Sequence, residues 1–190
     1  MTDRNERADR TEKAAKKGRG KLSFENIKWF GFDVDGVMTD GGIILQDDGV
    51  EAKRFNSRDG HGLKMLVRSG IRVAVITGRR SRLMEHRAKE VGITELYQNY
   101  PDKLDIYLQI LEEEGLDPSE TAFMGDDIVD LPILVRCGLP ICPADAVPEV
   151  RRECLYVTPS KGGQGAAREA IEYLFRGQGR WDEIIARYLA

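Results

Sequence analysis

Three short polar clusters each follow directly on an apolar run. Asp33-Val34-Asp35-Gly36 follows residues 27–32, Thr77-Gly78-Arg79 follows residues 72–76, and Gly125-Asp126-Asp127 follows residues 121–124. Any one of them alone reads as an ordinary turn, because Asp and Gly are turn formers. At the carboxyl ends of strands in an open α/β sheet, however, segments far apart in sequence converge on one ligand crevice. Bringing Asp33, Asp35, Asp126 and Asp127 together crowds carboxylates that repel one another unless a cation intervenes. Oxygen donors with no His or Cys nearby suit Mg²⁺ better than zinc. A Mg²⁺ site beside a hydroxyl (Thr77) and an ammonium (Lys103) suits phosphoryl transfer, where charge on the equatorial oxygens must be stabilised.

The elements that position these clusters are legible as alternating strands and helices. Residues 27–32, 72–76, 121–124 and 139–142 read as strands, with a further short one at 93–97. Residues 43–45 and 50–55 flank Asp47-Asp48-Gly49, the signal of a β-hairpin. Helices are expected over 62–68, from a Ser81 cap to about 91, from an Asp102 cap to Glu114 with Leu104, Leu108 and Leu111 facing inward, over 128–136 and over 166–175. An amphipathic segment, 181–189, ends the chain. The expected fold class is α/β: a mainly parallel sheet with flanking helices and a hairpin insertion at about 42–55. The Gly162-Gly163 loop is open to three readings: a phosphate nest, a hinge or a plain helix start.

Composition bounds the rest. With 190 residues, 41% of them hydrophobic, the chain has enough apolar content for one core and little room for a second. Residues 1–21 hold eight Lys or Arg and four Asp or Glu, a net +4, so residues 22–190 carry −7 of the overall −3 balance. The charges of that stretch alternate in sign without aromatics, which reads as a solvated, disordered tail rather than a nucleic-acid surface. A single domain is expected over 22–190, with a C-terminal tail at about 176–190. No apolar run approaches the roughly 18 residues that span a bilayer, and the polar start lacks a secretory core. Three cysteines and two histidines, with no Cys-x-x-Cys pair, fit a reducing cytoplasm and no structural zinc.

Asp33-Val34-Asp35-Gly36-Val37, Thr77, Lys103 and Gly125-Asp126-Asp127-Ile128-Val129-Asp130 resemble, in order, the four motifs of the haloacid dehalogenase superfamily of phosphohydrolases. The longer stretches 33–41, 55–62, 76–79 and 162–166, with Gly138-Leu139 and Ala144-Asp145-Ala146, resemble its branch acting on phosphorylated eight-carbon sugar acids. The resemblance implies a Rossmann-like haloacid dehalogenase fold without a cap domain. It implies that Asp33 is the nucleophile, that Asp35 is the acid and then the base, and that Thr77 and Lys103 hold the phosphoryl group. Asp33 and Asp126 would bind Mg²⁺ through side chains and Asp35 through its carbonyl, with Asp127 and Asp130 behind them. Substrate contacts would come from Asp35, Asn56, Ser57, Arg58, Asp59, Gly60, Lys64, Arg79, Arg87, Lys103 and Asp127. The activity so implied is cytoplasmic hydrolysis of 3-deoxy-D-manno-octulosonate 8-phosphate in lipopolysaccharide precursor synthesis. A nine-carbon sialic-type 9-phosphate is the alternative substrate, and an idle partner module of a sugar-activating enzyme is the alternative role. The resemblance also implies a homotetramer, with hairpins meeting in a central barrel and C-terminal segments completing neighbouring sites. Neither nucleic acid nor membrane is an expected partner.

Overall fold

The apolar runs form strands, and the two-residue alternation of their side chains supplies two buried faces. In the computed structural model, which describes residues 23–189, β1 (Trp29–Phe32), β4 (Arg72–Thr77), β5 (Glu95–Gln98), β6 (Thr121–Met124), β7 (Leu139–Cys142) and β8 (Tyr156–Val157) form one sheet. Its order is β5-β4-β1-β6-β7-β8, and each neighbouring pair is parallel. The basic stretch 1–21 lies outside the described residues.

Parallel sheets are covered on both faces, and the core divides accordingly. Phe30, Phe32, Val73, Val75 and Met124 face one apolar layer. There they meet Leu63 and Leu66 of α1 (Ser57–Arg68), Met84 of α2 (Arg82–Val91) and Ile171 of α6 (Ala166–Gly177). Trp29, Ala74, Ile76 and Phe123 face the other layer. Its helices are α3 (Lys103–Glu114), α4 (Leu131–Leu134) and α5 (Pro148–Glu153). Between β1 and α1 the chain inserts a small hairpin, β2 (Ile44–Leu45) and β3 (Glu51–Ala52), paired antiparallel. A hairpin is thus all that separates the first polar cluster from the first long helix.

Several boundaries differ from the sequence expectation. Helix α1 starts at Ser57 rather than near 62, because Asn56 Oδ1 accepts the Arg58 and Asp59 N–H groups at 2.8 and 3.4 Å. Leu108 was expected inside but is exposed; α3 buries Ile106, Tyr107, Ile110 and Leu111 instead. The expected helix at 128–136 splits into a 3₁₀ turn (Ile128–Asp130) and the short α4. Helix α5 and strand β8 carried no sequence expectation; both are short, and β8 is the edge strand of the sheet.

The C-terminal segment packs on its own chain, forming α7 (Trp181–Ala186). Trp181 and Ile184 pack on the first apolar layer. Arg180 donates to Ser69 O at 3.1 Å, and Tyr188 Oη lies 3.1 Å from His61 Nε2.

Candidate active site

Three strand ends supply the site. At the end of β1 the Asp33 N–H donates to Met124 O at 2.9 Å, which fixes the first cluster beside β6. The chain then turns tightly, the Met38 and Thr39 N–H groups both donating to Val34 O. Gly36 sits at φ +96°, and a Cβ there would lie 2.1 Å from Asp126 Oδ2. A side chain at that point is excluded both by backbone strain and by the carboxylate. Gly162 packs behind the same turn, where a Cβ would lie 1.8 Å from Gly36 O, and the Gly163 N–H donates to Val37 O at 3.0 Å. The Gly162-Gly163 loop is therefore a clasp on the Asp33–Asp35 turn.

Lys103, the first residue of α3, is buried with Nζ 2.6 Å from Asp33 Oδ1 and 2.7 Å from Asp130 Oδ1. Burial pulls its ammonium pKa down, but the two carboxylates outweigh that, and the net shift is upward. Burial pushes the Asp33 carboxyl up to about 6, with Lys103 opposing and Asp130 adding to the rise. Asp126 is pushed up to about 8, first by burial and then by Asp33 and Asp130. Asp130 is wholly buried, and its second oxygen accepts the Asp126 and Asp127 N–H groups at 2.9 and 3.3 Å. It braces Lys103 and the third cluster at once.

A divalent cation fits this arrangement. Asp33, Asp126 and Asp130 each place a carboxylate oxygen within 4.8 Å of the others. Lys103 pairs with Asp33 and Asp130, and the buried Asp126 Oδ1 has no hydrogen-bond partner among the described residues. Elevated carboxylate pKa values and an orphaned buried oxygen both report negative charge that lacks a counter-charge. Oxygen-only donors match Mg²⁺. Thr77 is buried at the end of β4, and its Oγ1 accepts the Arg79 N–H at 3.3 Å. That leaves its hydroxyl hydrogen to donate into the crevice.

Asp35, two residues after Asp33, lies in a network that sequence reasoning missed. Lys53, just past β3, pairs with Asp35 Oδ1 and lies 3.5 Å from Glu51 Oε1. Arg79 lies 3.8 Å from Asp35 Oδ2 and donates to Glu51 Oε1 at 2.7 Å. No motif marks Glu51 or Lys53; only the hairpin fold brings them to the site.

The remaining expected substrate contacts fall into two groups. Ser57 and Arg58 are exposed at the start of α1. The side chains of Asn56, Asp59, Lys64, Arg87 and Asp127 each also make contacts within the chain. Asn56 caps α1, and the buried Asp59 carboxylate accepts the Gly165 and Arg168 N–H groups at the start of α6. Burial raises the Asp59 pKa against those two hydrogen bonds. Arg87 donates to Asn56 O at 2.9 Å and to Glu90 at 2.7 Å, and its guanidinium fills the space beside Gly60. Lys64 faces Glu90 at 3.9 Å. Asp127 caps the Ile128–Asp130 turn through the Ile128 N–H at 2.7 Å. Asp59, Lys64 and Arg87 reach partners on other elements, whereas Asn56 and Asp127 cap the turns they begin, and spacing alone shows neither.

Similarity to known proteins agrees with this geometry. The haloacid dehalogenase-like hydrolase family matches residues 59–138. A curated 3-deoxy-D-manno-octulosonate 8-phosphate phosphatase of Yersinia pestis is 45% identical over 80% of this chain and 82% of its own length. The protein of the same name from Escherichia coli K12 is 43% identical over 84% of this chain and 85% of its own. Among solved structures, that phosphatase from Moraxella catarrhalis, in complex with magnesium, phosphate and the free sugar acid, aligns with a TM-score of 0.85 at 38% identity. The alignment covers 87% of this chain and 95% of that one.

Proposed function

The chain belongs to the haloacid dehalogenase-like hydrolases, in the branch of the 3-deoxy-D-manno-octulosonate 8-phosphate phosphatases, and from that membership we propose how its own residues do the chemistry. It is a Mg²⁺-dependent phosphoric monoester hydrolase that releases the free sugar acid and phosphate. The observation that carries the assignment to this chain is the junction of Asp33, Lys103 and Asp126. There a buried carboxylate is salt-bridged on one side and faces an unpaired carboxylate oxygen on the other.

A carboxylate oxygen of Asp33 attacks phosphorus, and the bond between phosphorus and the sugar oxygen breaks. The departing oxygen takes a proton from Asp35. Asp35, now a carboxylate, takes a proton from water as that water attacks phosphorus and frees Asp33. Lys103 and the Thr77 hydroxyl hold phosphoryl oxygens through both steps. Mg²⁺, held by the Asp33 and Asp126 carboxylates and the Asp35 carbonyl, supplies the positive charge that lets an anionic nucleophile meet an anionic phosphate. Arg58 and Arg79 are the cations placed to meet the sugar carboxylate, since a guanidinium binds it in bidentate fashion. Arg79 reaches it by releasing Glu51.

Assembly follows from what the site lacks. Among the described residues the only insertion over the strand ends is the hairpin. Its Ile43, Ile44, Leu45 and Val50 are 57, 51, 65 and 52% exposed. An apolar, unpaired edge of this kind calls for another chain. A homotetramer whose subunits shield one another's sites is the arrangement we favour, in the cytoplasm and in lipopolysaccharide precursor synthesis. Phosphate release with Mg²⁺ across phosphorylated eight- and nine-carbon keto acids and simple sugar phosphates tests the substrate. The eight-carbon compound is expected to be turned over fastest; equal, poor rates on all would refute the assignment.

A further inference from the structure

We propose that Lys53, on the hairpin, is the positioning residue for the acid–base carboxylate of Asp35, so that the hairpin carries part of the catalytic centre of its own chain. The inference rests on the phosphatase reading above and deepens it.

The argument starts from burial. The Lys53 side chain is 2% exposed, and among the described residues its ammonium pairs with Asp35 and Glu51. Burying a lysine is costly, and an apolar residue in its place would serve packing at least as well. A hairpin whose task ended at subunit contacts would need no such group directed inward. The apolar residues that suit those contacts, Ile43, Ile44 and Leu45, are on the exposed part of the same hairpin.

Geometry gives the second step. Asp35 lies two residues beyond Asp33 in a turn, and a carboxylate there is free to rotate about its own side-chain bonds unless something holds it. Lys53 holds Oδ1, while Arg79 stands 3.8 Å from Oδ2. Arg79 is 42% exposed on its side chain and shares Glu51 with Lys53. When Arg79 turns to an incoming sugar acid, Oδ2 is released toward the substrate and Lys53 still fixes Oδ1. One oxygen is then anchored and the other is aimed at the leaving group. Misplacement of a proton donor by about 1 Å is enough to cost about a hundredfold in rate.

Leaving-group dependence tests this. A nitrophenolate departs without protonation, whereas a sugar alkoxide needs the acid. Single-turnover release of the leaving group is measured for 3-deoxy-D-manno-octulosonate 8-phosphate and for p-nitrophenyl phosphate. The proteins are the wild type, Lys53→Met, Lys53→Arg and Asp35→Asn, each with a thermal melt. In Lys53→Met the limiting rate on the sugar phosphate should fall about a hundredfold at nearly constant half-saturation, at least about tenfold more than on the aryl phosphate. Lys53→Arg should recover most of that loss, and Asp35→Asn should show the same selectivity. Equal losses on both compounds, or a rise in half-saturation at an unchanged limiting rate, would overturn the role of Lys53. If Lys53→Met melts below the assay temperature, Lys53→Arg and Lys53→Gln carry the same comparison. An active wild type with a selective Asp35→Asn but an unselective Lys53 series sinks this inference alone. A wild type inactive on both compounds sinks the phosphatase reading with it.

Discussion

Asp33 and Asp126 are carboxylates whose burial is only partly offset by Lys103, and that imbalance has consequences for pH and for metal. In the folded chain their pKa values lie near 6 and near 8, against about 4 for the unfolded groups. A carboxyl whose folded pKa is raised binds protons more tightly folded than unfolded. Its stabilising contribution is therefore complete below about pH 4 and is lost as pH rises through the folded value. Metal-free protein should melt at progressively lower temperature between about pH 5 and 8.5, and Mg²⁺ should reverse most of that decline. Scanning fluorimetry in chelator and in Mg²⁺ reads both effects; a melting temperature that climbs with pH in chelator would contradict the charge imbalance. Asp33→Asn removes the nucleophile while keeping its shape. It should lower phosphate release at least about a thousandfold, and retained turnover would exclude the covalent route. These acidic residues were legible in sequence because their chemistry requires contiguous motifs at strand ends. Lys53 and Glu51 were not, because an ion pair between a hairpin and a distant turn leaves no local pattern.

Helix ends give two residues of the stretch 56–60, expected to meet substrate, a structural task as well. Asn56 caps α1, and Asp59 anchors the start of α6 through the Gly165 and Arg168 N–H groups. Helix α6 packs on α1 through Leu63, Leu66, Ile171 and Leu174, so Asp59 ties two helices of one layer together. Asp59→Ala should cost about 1–3 kcal/mol by leaving two buried N–H groups without a partner. A lower urea midpoint at constant slope would show it, and an unchanged midpoint would show that the carboxylate is dispensable to the fold. Polar residues at a helix start satisfy backbone donors as readily as ligands, so residue type alone does not reveal the structural use. The strands were read well because apolar runs and their flanking glycines are local features. The short α5 and β8 were missed because elements of two to six residues are held by the sheet edge and not by their own periodicity.

At the scale of the whole molecule, the hairpin has two faces with two tasks. In the assembly proposed above its exposed apolar residues would meet other subunits, while its buried Lys53 side chain pairs with Asp35. Leu45→Asp should shift the protein toward monomers in sedimentation and lower turnover by removing the neighbour's shield. A tetramer unaffected by this change would place the interface elsewhere. The C-terminal segment gives the opposite lesson. An amphipathic segment is legible there in sequence, and Trp181, Ile184 and Tyr188 seat it on its own chain. The α/β class, the strand ends that carry the acidic motifs and the Mg²⁺-suited donor set were determined by sequence alone, because each is encoded by residues adjacent in the chain. The partners of Asp35, the engagement of Asn56, Asp59, Arg87 and Asp127, and the seat of the C-terminal helix were decided only in three dimensions. Burial and electrostatic pairing act between atoms brought together by folding, and neither the range nor the sign of those contacts is written in local spacing.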